Sequence, residues 1–282
     1  MRLDYSISDV APYINWIYFF HAWGGGSMPS HERSRLQAEA RERLLRFGDS
    51  YQTHALFEIF DAHSEGDDIV VVRAEGDAER PTRIPCLRQQ QAGSDFLCLA
   101  DFVCPESASA PPCPRPSVPP TNQVGVFATT VDIGLEKDFS HDPYEQMMMQ
   151  LLADRLAEAT AERMHEEVRK RYWGYAADEQ LSIDEMLQER WQGIRPAVGY
   201  PSLPDTSLNF VIDRLIDMKQ TGIRLTESGA MKPHASVSGL MLAHPAAHYF
   251  SIGKIGDDQL ADYARRRDVP VSLMRKFLGG NL

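Results

Sequence analysis

The sequence is short of the features that usually announce a catalytic site. Its four cysteines, Cys86, Cys98, Cys104 and Cys113, form no C-x-x-C pair and have no histidine at zinc spacing, so reduced thiols and no metal site are expected. No G-x-G-x-x-G opens a helix after an apolar run, which excludes the doubly wound dinucleotide fold. The P-loop, H-E-x-x-H and G-x-S-x-G patterns are absent as well. Basic charge is scarce: 29 Lys and Arg stand against 40 Asp and Glu, a net −11. That balance argues against a nucleic-acid backbone or an anionic membrane as partner. Long apolar runs are missing too. Tyr13 to Trp23 is interrupted by Asn15 and His21 and is too short to cross a bilayer, and Met1 to Ser6 lacks the apolar core of a signal peptide. These absences lead us to expect a cytoplasmic protein.

What is present is ordinary for a globular chain: 43% hydrophobic and 24% charged over 282 residues, enough to bury a sizeable core. The aromatic-rich stretch Tyr13 to Trp23 is expected to anchor that core. Gly24 to Ser30 is a flexible break, and Arg33 to Phe47 has the helical spacing of Leu36, Ala40, Leu44 and Phe47. Two apolar runs around His63-Ser64-Glu65-Gly66-Asp67-Asp68 predict a hairpin, with Ile69 to Arg73 as its second strand. Phe96 to Val103, Val124 to Val131, Ile223 to Thr226, Ser236 to Ala243 and His248 to Ile255 are further predicted strands. Pro105 to Pro120 is proline-rich and aperiodic, hence a loop.

Asp142-Pro143 is a cap and first-turn proline for the longest helical pattern, Tyr144 to Trp173. Met148, Leu151, Leu152, Leu156 and Ala159 share one side of it. Asp154, Glu158 and His165 fall within about 40° of one another on another side. Taken alone, such a polar stripe is a helix's wet face. Shorter helices are predicted over Ser182 to Trp191, Ser207 to Lys219, Asp257 to Arg267 and from Pro270 onward. Long helices with hairpin-linked strands, and no βαβ alternation, give an α+β class.

One segment stands apart: Arg195-Pro-Ala-Val-Gly-Tyr-Pro-Ser-Leu-Pro-Asp205. Its three prolines forbid helix and stiffen the backbone. Gly199 can take positive φ or bring main chain close to a ligand, Arg195 supplies a permanent cation, and Tyr200 an aromatic hydroxyl. A surface turn and a small-ligand loop would both use such residues.

The Arg-Pro-Ala-x-Gly-Tyr-Pro run is accompanied by Tyr13-Ile-Asn-Trp16, Leu87-Arg-Gln-Gln90, Cys98-Leu-Ala-Asp-Phe-Val103 and Ala153-Asp-Arg-Leu-Ala-Glu158. Tyr172-Trp-Gly-Tyr175, Leu225-Thr-Glu-Ser228, Ser236-Val-Ser-Gly239, His244-Pro245, Gly253-Lys-Ile255 and Asp262-Tyr-Ala-Arg-Arg266 follow in order. Together these blocks resemble the C-terminal activation domain of cobalamin-dependent methionine synthase, over nearly the whole chain.

The resemblance implies one α+β domain across residues 1–282, with a mainly antiparallel central sheet, long flanking helices, and the 105–120 loop internal to it. It implies binding of S-adenosylmethionine and support of the reductive methylation of inactive cob(II)alamin. The cobalamin would be carried by a partner domain or protein, and the electron would come from a flavodoxin-type donor. Residue by residue, it makes Arg195 the partner of the ligand carboxylate and turns the backbone of Ala197 and Gly199 toward the ligand. Glu158 would be a polar contact, Tyr249 and Phe250 would pack beside the ligand, and Tyr200 would reach toward the cobalt. It places Asp154 at the docking face. Asn15 stands where the family commonly has aspartate, so that contact would be neutral. The Gly-rich break is also shorter than the family's segment. The alternative is a non-catalytic S-adenosylmethionine sensor or a corrinoid-protein binding module.

Overall fold

The computed structural model describes all residues except 25–27, 48–49, 73–80, 94, 107–121 and 139–140. Residues 25–27 of the Gly-rich break and most of the proline-rich loop therefore lie outside the described residues.

The architecture is built on one long strand, β2 (Gln52–Glu65). Its 14 residues are long enough for two partners to share one edge. β1 (Arg2–Ser6) pairs with its first five residues and β3 (Asp68–Val72) with its last five. β5 (Gln123–Val131) occupies the other edge, followed by β8 (Ser236–Met241), while β4 (Thr82–Pro85) extends the sheet beyond β3. All these pairings are antiparallel. The predicted hairpin is present, closed by Gly66 and Asp67, with Gly66 at φ +59°. A two-strand ribbon, β6 (Arg224–Leu225) with β7 (Met231–Lys232), lies apart.

Both faces of the sheet are covered. Phe57, Phe127 and Met241 belong to the core that includes Met148, Leu152 and Leu156 of α5 (Pro143–Glu167), together with Leu36, Ala40 and Leu44 of α3 (Ser30–Phe47). On the opposite face Leu56, Val124, Val126 and Leu240 pack with Val211, Ile212 and Leu215 of α7 (Asn209–Ile216). β5 is apolar on both sides because it is sandwiched. Along the chain α1 (Ile7–Val10), α4 (Gly134–Lys137) and α6 (Ile183–Leu187) are short helices. A smaller C-terminal core holds α8 (Asp257–Arg266) and α9 (Val271–Phe277). Buried Asp205 ties it down by accepting from Tyr263 Oη at 2.9 Å and Arg267 Nε at 3.2 Å.

Three elements depart from the pattern reading. Phe96 to Val103 is not a strand: after one bridge at Cys98 it forms a 3₁₀ turn over Leu99–Phe102. Asp101 caps that turn at Cys98 N (2.9 Å) and is gripped by the Arg88 fork, which also holds Asp67. Local side-chain bonds have displaced a ladder. His248 to Ile255 is irregular, because its main chain pairs with loops and side chains instead: Ile252 N donates to Pro201 O at 2.9 Å and Gln89 Nε2 to Ser251 O at 2.8 Å. The long helix leaves α geometry after Glu167 and closes with a π turn over Val168–Tyr172.

Candidate functional site

The proline-braced segment is docked on the open edge of β8 as an additional rung. Ile194 and Leu242 exchange both backbone bonds at 2.9 Å, Leu240 N donates to Pro196 O at 3.0 Å, and Val198 N to Ser238 O at 2.8 Å. The approach requires glycine at 239, where a Cβ would stand 2.2 Å from Pro196 O. The chain then turns at Gly199 (φ +90°), whose N–H donates to Leu203 O at 2.9 Å. Gly199 shapes the loop but is not among the residues that line the adjoining cavity.

That cavity has a volume of about 510 Å³. It lies between the loop from Arg195 to Ser202, the α5 face bearing Arg155, Glu158 and Glu162, the N-terminal Tyr13, Asn15 and Tyr18, and the segment Tyr249 to Ser251. Arg195, Ala197, Tyr200, Glu158, Tyr249, Phe250 and Asn15, singled out from sequence, therefore converge on one space. Asp154 does not line it. It sits one turn before Glu158 on α5, with its carboxylate 3.5 Å from His234 Nδ1.

Arg195 is the buried charge of the site. Its guanidinium pairs with Glu162 and donates to Ala161 O at 3.2 Å. Burial opposes its charge, but Glu162, Tyr249 and Glu158 together more than offset this, so its pKa stands above the usual arginine value. Its main-chain N–H donates to Tyr249 Oη at 3.0 Å. Burial pushes the Tyr249 phenol up to about 12. Tyr200 donates to Glu158 at 2.6 Å; burial first, then the Glu158 charge, raise its pKa too. Both phenols are protonated at neutral pH; Tyr200 donates to Glu158, while the Tyr249 oxygen accepts from the Arg195 main chain. Asn15 accepts from Ile17 N at 3.1 Å, capping the aromatic helix α2 (Trp16–Gly24) while it lines the cavity.

Sequence reasoning missed Glu162 and Glu189. Glu162 lies one turn past Glu158, so the helical repeat that placed Asp154 and Glu158 together could have included it. Glu189 carries φ +59° without being glycine, and nothing in its sequence surroundings marks that. Burial, with Glu162 adding to it, raises the Glu189 carboxyl. His165, placed on a wet stripe by pattern, is fully buried. Among the described residues, only His63, Glu65 and Glu106 come close enough to share an ion, and Arg83 already pairs with Glu65. No helix among them is long and apolar enough to cross a membrane.

An irregular loop laid on a sheet edge, facing a helix lined with carboxylates, defines a small-ligand site on an antiparallel α+β domain. The family described as the vitamin B12-dependent methionine synthase activation domain matches residues 6–268. A crystal structure of the MetH reactivation domain bound to AdoHcy superimposes with a TM-score of 0.88 at 36% identity, covering 100% of this chain and 90% of that one. The chain belongs to this activation-domain family.

Proposed function

We propose that the chain binds S-adenosylmethionine in the 510 Å³ cavity and presents its methyl group to the cobalamin of a partner domain, reactivating a cobalamin-dependent methionine synthase. The observation that carries this reading is the convergence of a buried guanidinium, a phenol–carboxylate pair and aromatic walls on one cavity, in a fold shared with a domain bound to AdoHcy. The residues fit the ligand's parts. Arg195 suits an α-carboxylate, which its planar fork can share with Glu162. Glu158, Glu162 and Glu189 offer acceptors for an ammonium group or ribose hydroxyls and favour a cationic ligand. Tyr249, Phe250 and Tyr18 supply faces for an adenine ring.

Within this reading Ala197 contributes main chain to the ligand, and Gly199 holds the turn that positions it. Tyr200 stands half-exposed at the rim, with its hydroxyl fixed by Glu158, where it can meet an approaching cofactor. Asn15 offers its remaining amide hydrogens, and Asp154 belongs to the docking face. The domain spans residues 1–282, with the 105–120 loop internal to it. When a partner binds, its corrin supplies the methyl-accepting nucleophile and a flavodoxin-type donor supplies one electron. The chain itself contributes binding, orientation and exclusion of water rather than a general base. It is thus a methyltransferase component, inactive alone in making methionine, and is assigned to the cytoplasm.

Titration calorimetry of the purified chain with S-adenosylmethionine tests the binding step. Heat with unit stoichiometry is expected, and Arg195→Ala should weaken binding by about 2–5 kcal/mol, the range for a desolvated charge pair that loses one partner. No heat and no thermal shift at millimolar ligand would sink the proposal. A sensor would bind equally well but would leave a cobalamin-loaded partner unmethylated under reducing conditions.

A further inference from the structure

Behind Arg195 lies a buried polar pair, His165 and Arg169, that does not itself line the cavity. His165 and Arg169 are fully buried, an expensive place for an imidazole and a guanidinium. Arg169 Nη1 lies 3.0 Å from His165 Nδ1, and Arg195 Nη1 lies 3.1 Å from the same nitrogen. A guanidinium can only donate, so Nδ1 must present its lone pair to both. The ring proton therefore sits on Nε2, which faces the Tyr175 hydroxyl oxygen at 3.4 Å. Burial, then the charges of Arg195 and Arg169, hold the imidazole well below its ordinary pKa, so it stays neutral.

Each arginine has its own carboxylate: Glu162 for Arg195, and Glu179 at 2.5 Å for Arg169. Trp191 lies against both cations, 5.6 Å from the Arg195 guanidinium carbon and 4.9 Å from that of Arg169, with its ring edge-on to His165 at 5.4 Å. Two guanidinium groups are thus brought together around one neutral acceptor and one aromatic face. Of the two arginines, Arg195 alone borders the cavity. A simple structural ion pair would need neither the second cation nor the shared imidazole.

We infer that His165 is a positioning residue for ligand recognition: its Nδ1 lone pair, held in place by Arg169 and Trp191, fixes the Arg195 guanidinium in the orientation that receives the ligand's carboxylate. A group that acts only by orienting a ligand-contacting residue should change affinity for the part of the ligand that residue touches, and nothing else. The inference rests on the reading that Arg195 takes the carboxylate, and the experiment keeps the two separable.

Calorimetry would compare AdoHcy with 5′-methylthioadenosine, which keeps the nucleoside and thioether but lacks the amino-acid end. Wild type should prefer AdoHcy. His165→Leu should weaken AdoHcy on the order of tenfold, the lower range for groups that orient a ligand-contacting residue. Its affinity for 5′-methylthioadenosine should stay within about twofold, because no oriented contact is lost there. His165→Asn, whose side-chain oxygen can take the place of Nδ1, should restore most of the AdoHcy affinity. If the leucine variant does not fold, His165→Gln, which keeps a buried amide with its acceptor displaced, should show the same selective loss. Equal weakening of both ligands, or unchanged AdoHcy affinity in the leucine or glutamine variant, overturns the positioning role. A wild type that binds both ligands equally removes the carboxylate pairing itself, and the inference falls with it.

Discussion

At the scale of single residues, Asn15 shows how one side chain can serve two demands. Its oxygen caps α2 at 3.1 Å, and asparagine and aspartate are nearly equivalent as caps. Aspartate at this position would therefore leave the helix start intact and alter only the charge at the cavity wall. Asn15→Asp should leave thermal stability within about 0.5 kcal/mol, inside the spread among good caps. It should also tighten S-adenosylmethionine, since a charge-assisted hydrogen bond is roughly twice as strong as a neutral one. An unchanged dissociation constant would confine Asn15 to its capping role. His165 carries a second residue-scale expectation. Its folded pKa lies well below the 6.5 of a free imidazole, so the unfolded chain takes up a proton before the folded one does. The stability it contributes is complete above about pH 6.5 and is lost progressively as pH falls toward the folded value. Melting temperature measured from pH 7.5 to 5 should drop more steeply in wild type than in His165→Asn, which has nothing to titrate at that position.

At the scale of elements, the site depends on a backbone fit that periodicity cannot express. Gly239 lets the Arg195 loop lie against β8, and Gly193, at φ +85°, lies with Leu242 O only 2.3 Å from where its Cβ would be. Gly239→Ala must push that loop away or bend β8. A cost of about 1–3 kcal/mol is expected, as for overpacking of a filled interior. Ligand affinity should fall more than it does for an alanine placed on an exposed strand residue. A variant with full affinity would mean that the rung does not hold the site. The same fit explains which elements were legible. The β2–β3 hairpin and α5 declared themselves through turn chemistry, capping and spacing, all of which are local. The stretches 96–103 and 248–255 have strand-like composition, but their hydrogen-bond partners, Arg88, Gln89 and the Pro201 carbonyl, come from elsewhere in the chain. Propensity describes a residue's fit to a pleated surface and not whether a partner strand is present. β1 went unread for the complementary reason: its partner Gln52–Leu56 lies about fifty residues away, and its own sequence is too short to alternate clearly.

At the scale of the whole molecule, the candidate site was legible as a set because family-like blocks from distant parts of the chain meet at one cavity. Its charge balance was not legible. Glu162 and Glu189 acquire meaning only once α5 faces the Arg195 loop, and His165 looked solvent-exposed until the loop covered it.

The molecular scale also decides how the domain would meet its partner. Asp154 shares the helix face of Glu158, is only partly covered, and lies 3.5 Å from His234 Nδ1 through its carboxylate. His234 is largely exposed, so this pair is worth little to stability by itself. The partly covered carboxylate is within reach of a partner's donor on this face. The experiment mixes the chain, S-adenosylmethionine, a reductant and a cob(II)alamin-loaded partner, and follows the visible spectrum. Asp154→Ala should slow methylation several-fold while ligand affinity by calorimetry stays at the wild-type value, because a rim charge acts mainly on association. His234→Ala separates the two roles. If Asp154 serves the partner, removing His234 should leave the rate unchanged or raise it. If the two losses are equal, Asp154 works through its local pair and the docking assignment fails. Equal rates with and without the chain would remove the activation function altogether.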